Sequence, residues 1–440
     1  MKNKLPLLYL LVFICACSSN KKFSGDNFAN NQNYLRWNKM LTDVIVEDVF
    51  NPPIAGRIYA YSNIAAYEAL VPGSAGFGSL AGQLRGLNKL PAPAQKDNIS
   101  YELASLTAFT TVASKLVYSS YLVNDFYKKQ IDSLRHAGWD ESTIKNSTAF
   151  GEAIGDSIFS WSMKDGFRES RKERYVLKSF TGSWIPTPPD YMPAVEPYWG
   201  MIRPFTMDSV GMFCAPEIPL YSADKKSPYF KYVSEVYETG NNLTEEQKII
   251  ASYWDDNPNV STHLGHMTYF AQKMTPGGHW IALTALAARM KKWTLPETAE
   301  AFTLTSIAMS DAFKCCWKEK YRYNSIRPVT IINETLNRDW NPYIQTPPFP
   351  EYPSGHSTVS AAAAEVLTKL AGDNFSFTDS SEVEYGLPVR SFNSFREAAA
   401  EAKLSRMYGG IHFRFANEGG ATMGKKIGEY VAENIKTRAK

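Results

Sequence analysis

Three short fragments in the last third of the chain constrain its fold more than any other feature. They are Lys320 with Arg327-Pro328, Pro353-Ser354-Gly355-His356, and Ser405-Arg406 followed by His412. Three cations and two histidines set this far apart act together only if the fold brings them to one place. Lys320, Arg327 and Arg406 buried side by side without an anion would repel one another by several kcal/mol, roughly the scale of partly buried charge pairs. Their convergence therefore implies a ligand of charge two or three. Taken singly, each fragment has a plainer explanation: a capped helix with an unrelated histidine, two surface cations, or a core histidine between apolar neighbours.

The local chemistry of each fragment suits an oxyanion. Pro353 stops a helix from above, and the alanines at 361–364 favour one below. Gly355 lets the backbone come close to a ligand. Free N–H groups in the first turn, with the positive end of the helix, attract an anion. Ser354 adds a hydroxyl donor, and His356 stands where an imidazole can move a proton. Arg327 offers a planar fork and Lys320 a point charge, both expected on a short turn after a helix ending near residue 318. Arg406 is expected near the end of a helix broken by Gly409-Gly410, with His412 on an extended segment that follows.

Elsewhere apolar residues recur at three- and four-residue spacing. The pattern predicts helices over 37–70 (interrupted at Asn51-Pro52-Pro53), 97–118, 120–136, 141–165, 244–255, 279–293, 296–318, 354–371, 391–407 and 418–435. Period-2 strand patterns are scarce. Prolines crowd between Pro186 and Pro204 among Trp184, Tyr191, Tyr198 and Trp199, which excludes long helices there. Residues 166–228 are expected to form an ordered connector over the helices, or the rim of a site. The expected fold is all-α: an N-terminal helical half, residues 36–240, packed on a C-terminal catalytic helical bundle, residues 241–440.

Hydrophobic content of 44% and charged content of 21% over 440 residues support a sizeable core. A net charge of +3 without a basic stripe argues against nucleic acid as a partner. At the N-terminus, Lys2 and Lys4 precede an apolar run, Leu5 to Ala16, too short to span a bilayer. Its end, Ile14-Cys15-Ala16-Cys17, resembles a bacterial lipobox. That implies a lipidated Cys17, a flexible tether over 18–35, membrane contact through the anchor alone, and a place outside the cytoplasm, in the periplasm or at the cell surface. An ordinary cleaved signal peptide is the alternative. Cys214, Cys315 and Cys316 form no disulfide framework, and the adjacent pair reads as two small buried residues of a helix. His263, His266 and His279 form a loose cluster that admits a second metal site; His136 reads as a surface residue.

Together the three fragments resemble the vanadium-dependent haloperoxidase and type 2 phosphatidic acid phosphatase superfamily, whose pattern is K-x6-R-P, P-S-G-H and S-R-x5-H-x3-D. The likeness is tight over residues 317–416 and looser through Gly182–Thr187 and Trp254-Asp255-Asp256. It implies an α-helical bundle with vanadate as cofactor. His412 would bind the metal. Lys320, Arg327, Ser354, Gly355 and Arg406 would bond its oxygens, and His356 would be the acid–base group. The long N-terminal half, Trp317 and the run Pro347 to Pro353 favour the haloperoxidase branch. That branch implies hydrogen peroxide and a halide as reactants, a hypohalous-acid equivalent as product, and an organic acceptor left undefined. Trp317 and Phe349 are expected as an apolar rim that desolvates the halide, or else as core aromatics. Asp255-Asp256, with Asp256 as a supporting residue of the site, is expected to buttress Arg406, or else to be a plain helix C-terminal turn. One position departs from the pattern: Ala416 stands where the family aspartate orients the second histidine. Glu418 or a backbone carbonyl is expected to substitute. The departure weighs against an acid phosphatase working on phosphomonoesters or lipid phosphates through a phosphohistidine. It also leaves open a non-catalytic lipoprotein that binds phosphate or vanadate.

Overall fold

The computed structural model describes residues 30–93 and 98–438. The signal segment, Cys17 and most of the expected tether lie outside the described residues. The N-terminal half holds α1 (Asn31–Glu47), α2 (Pro52–Leu70), α3 (Tyr101–Leu116), α4 (Ser120–His136) and α5 (Glu141–Ser162). The break between α1 and α2 falls where Asn-Pro-Pro predicts it. Asn51 caps α2 by accepting the Ile54 amide, and the prolines occupy positions whose N–H would be unused. After the connector come α6 (Pro228–Asn241), α7 (Glu245–Tyr253), the antiparallel hairpin β1 (Val260–Leu264) with β2 (Met267–Ala271), and α8 (Pro276–Lys291). Next are α9 (Leu295–Tyr323), α10 (Pro328–Thr335) and α11 (Gly355–Ala371). The chain closes with the hairpin β3 (Phe377–Asp379) and β4 (Arg390–Phe392), then α12 (Phe395–Tyr408) and α13 (Arg414–Asn434).

The central helices are α2 and α9. α2 packs on α3, α5 and α9, while α9 packs on α8, α11 and α13. Both are buried along nearly their whole length, which suits their lack of a polar face. One apolar cluster runs from Tyr34 to Ile435, so the two halves share a core. No helix among the described residues is long and apolar enough to cross a membrane. The connector carries only single helical turns, Glu169–Arg171 and Trp199–Met201. It lies over α9, where the Trp184 amide donates to the Asn324 carbonyl at 2.8 Å and Trp317 Nε1 to the Val195 carbonyl at 3.2 Å.

Several expectations need correction. α9 does not stop near residue 318; it continues to Tyr323 and ends at Asn324, in the left-handed region with φ 50°. Lys320 therefore sits in its last turn, because Glu319, Lys320 and Tyr321 are buried rather than solvated. α13 begins at Arg414, not at residue 418, so His412 lies in a bend between α12 and α13 rather than on a strand. Residues 31–35 belong to α1, with Tyr34 and Leu35 in the core, rather than to a tether. The helix expected from residue 391 starts at Phe395, because residues 390–392 pair with β3. The sequence pattern predicts neither α6 nor α10: each is short, opens on a proline, and buries few apolar residues.

The closest helix pairing is that of α11 with α13. A Cβ on Gly424 would lie 2.0 Å from the Thr358 carbonyl oxygen. Four residues either way, Gly420 and Gly428 meet Ser354 and Ala362 in the same manner. Steps of four on one helix thus ride on steps of four on the other. The Gly424→Ala protein should lose about 1–3 kcal/mol of stability by forcing these backbones apart. Its thermal denaturation midpoint should fall accordingly, and an unchanged midpoint would show that the pair can separate freely.

Candidate oxyanion site

The α11–α13 contact sets the N-terminus of one helix beside that of the other. Ser354 caps α11, accepting the Ser357 amide, and donates its own amide to the Ala416 carbonyl at 3.1 Å. The cis Tyr352-Pro353 bond precedes it. Gly355 opens the helix with its back to Trp317, 3.4 Å from where a Cβ would stand. Amides in this first turn have no partner within the helix.

The three cations converge here and are fully buried. Lys320 Nζ donates to the carbonyls of Pro350 at 2.9 Å and Glu351 at 3.0 Å. Arg327 Nε donates to the Phe349 carbonyl and its Nη1 to the Ile411 carbonyl, both at 2.9 Å. Arg406 Nη1 donates to the Trp254 carbonyl at 2.5 Å, and Asp255 Oδ1 lies 4.0 Å from its Nη2. Carbonyl dipoles hold these groups but do not neutralise them. Arg327 Nη2, Arg406 Nε and His356 Nε2 have no hydrogen-bond partner among the described residues. Burial, reinforced by Arg327, lowers Lys320 to about 7, and burial with Arg406 lowers Arg327 to about 9. Buried donors without acceptors are costly, and a tetrahedral oxyanion supplies acceptors for all of them.

The two histidines have different surroundings. His412 Nδ1 lies 2.9 Å from Glu351 Oε1, which also accepts the Phe413 amide at 3.0 Å. Its Nε2 faces Arg327 Nη1 at 3.3 Å. Burial and then Arg327, Lys320, Arg406 and His356 hold His412 well below the ordinary histidine range. With Nδ1–H directed to Glu351, the Nε2 lone pair is left for the cationic pocket. His356 keeps 15% side-chain exposure, its Nε2 3.9 Å from Asp256 Oδ2. Burial and Arg406 also hold it well below the ordinary range. It stands on the wall of a cavity of about 250 Å³, lined also by Arg406, Asp256, Phe349, Met192 and Val195. The cavity meets the pocket at His356 and Arg406.

The family model described as the VCPO second helical-bundle domain matches residues 300–440. Among solved structures, a bacterial vanadium-dependent iodoperoxidase is 40% identical, with a TM-score of 0.87 over 94% of this chain and 98% of that one. The chain belongs to the vanadium-dependent haloperoxidases. A holo-type bacterial vanadium-dependent chloroperoxidase shares the fold at 17% identity, with a TM-score of 0.66 over 87% of this chain and 92% of that one. Its apo-type structure does so at 17% identity, with a TM-score of 0.65 over 88% and 95%. No curated protein matches the chain.

In this haloperoxidase the fragments read from sequence form one pocket, but three supporting residues sit differently from expectation. Glu418 is exposed on α13 and does not serve His412; Glu351 does. Its signal was a lone acid within the Pro347–Pro353 run, separated by one residue from the Pro353–His356 fragment. Asp256 does not buttress Arg406. Its Oδ1 faces His279 and its Oδ2 faces His356, while Asp255 is the acid near Arg406. Of the two rim aromatics, Phe349 lines the cavity, whereas Trp317 lies behind it with ring centroids 4.9 Å apart. The three loose histidines separate: His263 and His266 belong to the exposed β1–β2 hairpin, and His279 is wholly buried in α8. Cys315 and Cys316 are free and buried in α9, as expected.

The pocket charge fixes a pH dependence. Lys320 is cationic only below about 7, and burial raises Glu351 to about 7, so it becomes anionic above that value. Both changes make the pocket less positive as pH rises. Tungstate, a tetrahedral dianion on both sides of neutrality, should therefore bind more weakly at about pH 8 than at about pH 6, by up to about tenfold per pH unit for each proton linked. Calorimetry in two buffers should show proton uptake on binding near neutrality. A flat profile would mean that the two groups do not change charge.

Proposed function

We propose that the pocket holds vanadate and that the enzyme oxidises iodide with hydrogen peroxide. The observation that carries this reading is the pairing of a neutral, Glu351-oriented His412 with three buried cations, two of which, Arg327 and Arg406, keep guanidinium nitrogens without acceptors. His412 Nε2 would hold the metal. Lys320, Arg327, Arg406, the Ser354 hydroxyl and the Gly355 amide would hold its oxygens. Bound vanadate would supply a Lewis-acidic centre that activates peroxide for attack by halide without a change in its own oxidation state. Halide, hydrogen peroxide and one proton become hypohalous acid and water.

The chain's own residues do the rest. The cations stay fixed by backbone carbonyls, so they need no reorganisation as charge develops on the oxygens. His356, neutral and facing the cavity, takes a proton from entering peroxide and returns it to departing water. Phe349 and the connector residues Met192 and Val195 strip water from a halide at the mouth. Iodide, the most easily desolvated and oxidised of the common halides, suits a half-open, largely apolar mouth. The iodoperoxidase likeness at 40% identity supports the same choice. Glu351 supplies the carboxylate missing at Ala416, so the departure from the family pattern does not leave His412 unsupported. A membrane tether at Cys17 is part of the same proposal, and it would confine the hypohalous product outside the cytoplasm.

Reconstitution with vanadate should give peroxide-dependent iodide oxidation faster than that of bromide or chloride, and phosphate should compete with vanadate. His356→Ala should keep vanadate affinity and lose about 10²–10⁴-fold in turnover. Glu351→Gln should weaken vanadate binding by about 10–100-fold through loss of the orienting charge, and His412→Ala should weaken it further. Release of phosphate from p-nitrophenyl phosphate without halide oxidation would overturn the reading.

A further inference from the structure

Behind the anion pocket lies a second group of side chains that the haloperoxidase chemistry does not use. His279 is wholly buried in α8, with Trp254 stacked on its ring at 4.4 Å and 19°. Its Nε2 lies 2.8 Å from Asp379 Oδ2. Its Nδ1 lies 3.1 Å from Asp256 Oδ1 and 3.7 Å from Glu382 Oε1. One ligand atom from each of Asp256, His279 and Glu382 falls within 4.8 Å of the other two. Glu382 is 0% exposed, and neither of its oxygens has a hydrogen-bond partner among the described residues.

We propose that Asp256, His279 and Glu382 bind a divalent cation of the zinc or manganese class, separate from the vanadate pocket. Protons alone do not satisfy the group. An imidazolium has two N–H donors, and here they face Asp379 and Asp256, which leaves Glu382 with nothing. Burial raises Glu382 to about 8, so it keeps a proton that also lacks an acceptor, while Asp256 and Asp379 stand against one positive ring with half-buried Lys273 as a further charge within reach. A cation at the centre takes the Nδ1 lone pair and one oxygen from each of Asp256 and Glu382. Asp379 then accepts Nε2–H and fixes the ring, the usual support of a metal-bound histidine. A tetrahedral ion with bonds of about 2.0–2.1 Å holds its ligands about 3.3 Å apart, a spacing between the 3.1 and 3.7 Å found here. One imidazole with two carboxylates is a nitrogen–oxygen set that suits zinc or manganese better than a soft ion.

The site reaches the anion pocket through one residue. Asp256 Oδ1 belongs to the cation site, while Oδ2 stands 3.9 Å from His356 Nε2. An ion on Oδ1 fixes the carboxylate that faces the acid–base histidine, so Asp256 is a positioning residue. This inference does not depend on which halide is oxidised, or on vanadate being bound.

The test uses the full chain, stripped with a chelator and titrated with zinc chloride by calorimetry. Elemental analysis should show one equivalent of metal per chain. Glu382→Gln, which keeps size and shape, should weaken binding at least tenfold and leave tungstate binding unchanged. His263→Ala should leave zinc binding unchanged. Loss of zinc on His263→Ala would place the ion on the surface hairpin and overturn the proposal, as would full retention in Glu382→Gln or the absence of stoichiometric binding. X-ray absorption of the zinc-loaded wild type decides the matter without a variant. A shell of nitrogen and oxygen with one imidazole is expected; two imidazoles or a sulfur would refute the site.

Discussion

The approach of α11 to α13 is the constraint on which the site depends. Backbone meets backbone there, with no side chain between the Gly424 position and the Thr358 carbonyl. Such contact is possible only where Cβ is missing from one partner. Its consequence lies at the ends of the helices rather than in the middle. Ser354 at the start of α11 is tied to Ala416 in the first turn of α13, four positions after His412. A wider spacing would draw the helix amides away from the imidazole while leaving most of the core intact. Packing geometry, more than any single polar contact, therefore sets the size of the anion pocket.

Electrostatics then works within that fixed frame. Three cations buried within one pocket would be unstable if they were free to choose their surroundings. The chain prevents that choice by occupying part of each with carbonyls from the Phe349–Glu351 segment, Ile411 and Trp254. These bonds hold direction but leave net charge, and the low polarisability of the interior magnifies what remains. The depressed protonation of Lys320 and Arg327 expresses this tension. An incoming oxyanion relieves it, so part of the ligand's affinity is stored in the folding of the apoprotein.

How much of this was legible in the sequence follows from what each signal depends on. Ser354, Gly355 and His356 were readable because a cap, a glycine and a helix start are local events. Lys320 was readable as a pocket cation but misplaced on a turn, because a run of charges imitates a helix end. Only tertiary burial of Glu319 and Lys320 keeps α9 going. Glu351 was missed because its role depends on a residue 61 positions away, and the family pattern drew attention to residue 416 instead. The pair Asp255-Asp256 was readable as support for Arg406, but not which of the two stands nearer. The adjacent Asp255 and Asp256 point to different partners, and their orientations come from the fold, with Asp256 held at φ 42°. The short helices α6 and α10 left little trace, since each buries only a narrow strip against a partner that is distant in sequence.

In the proposed chemistry the two imidazoles do opposite work, although they are identical side chains of one fold. Both are desolvated and both feel Lys320 and Arg406, so these charges alone do not separate them. Their second nitrogens do. His412 has Nδ1 fixed on a carboxylate that also grips its neighbour's amide, which commits the ring to one tautomer and one direction. A ring so committed is a good ligand and a poor proton shuttle. The Nε2 of His356 has no bonded partner, and its nearest acid, Asp256, stands beyond hydrogen-bond range on the cavity wall. With the Asp255 backbone in hydrogen-bonding reach of the ring, it is this free Nε2 that can gain and lose a proton. The proposed division between holding and shuttling thus rests on the placement of two carboxylates, Glu351 in contact and Asp256 at a distance, and not on the histidines themselves.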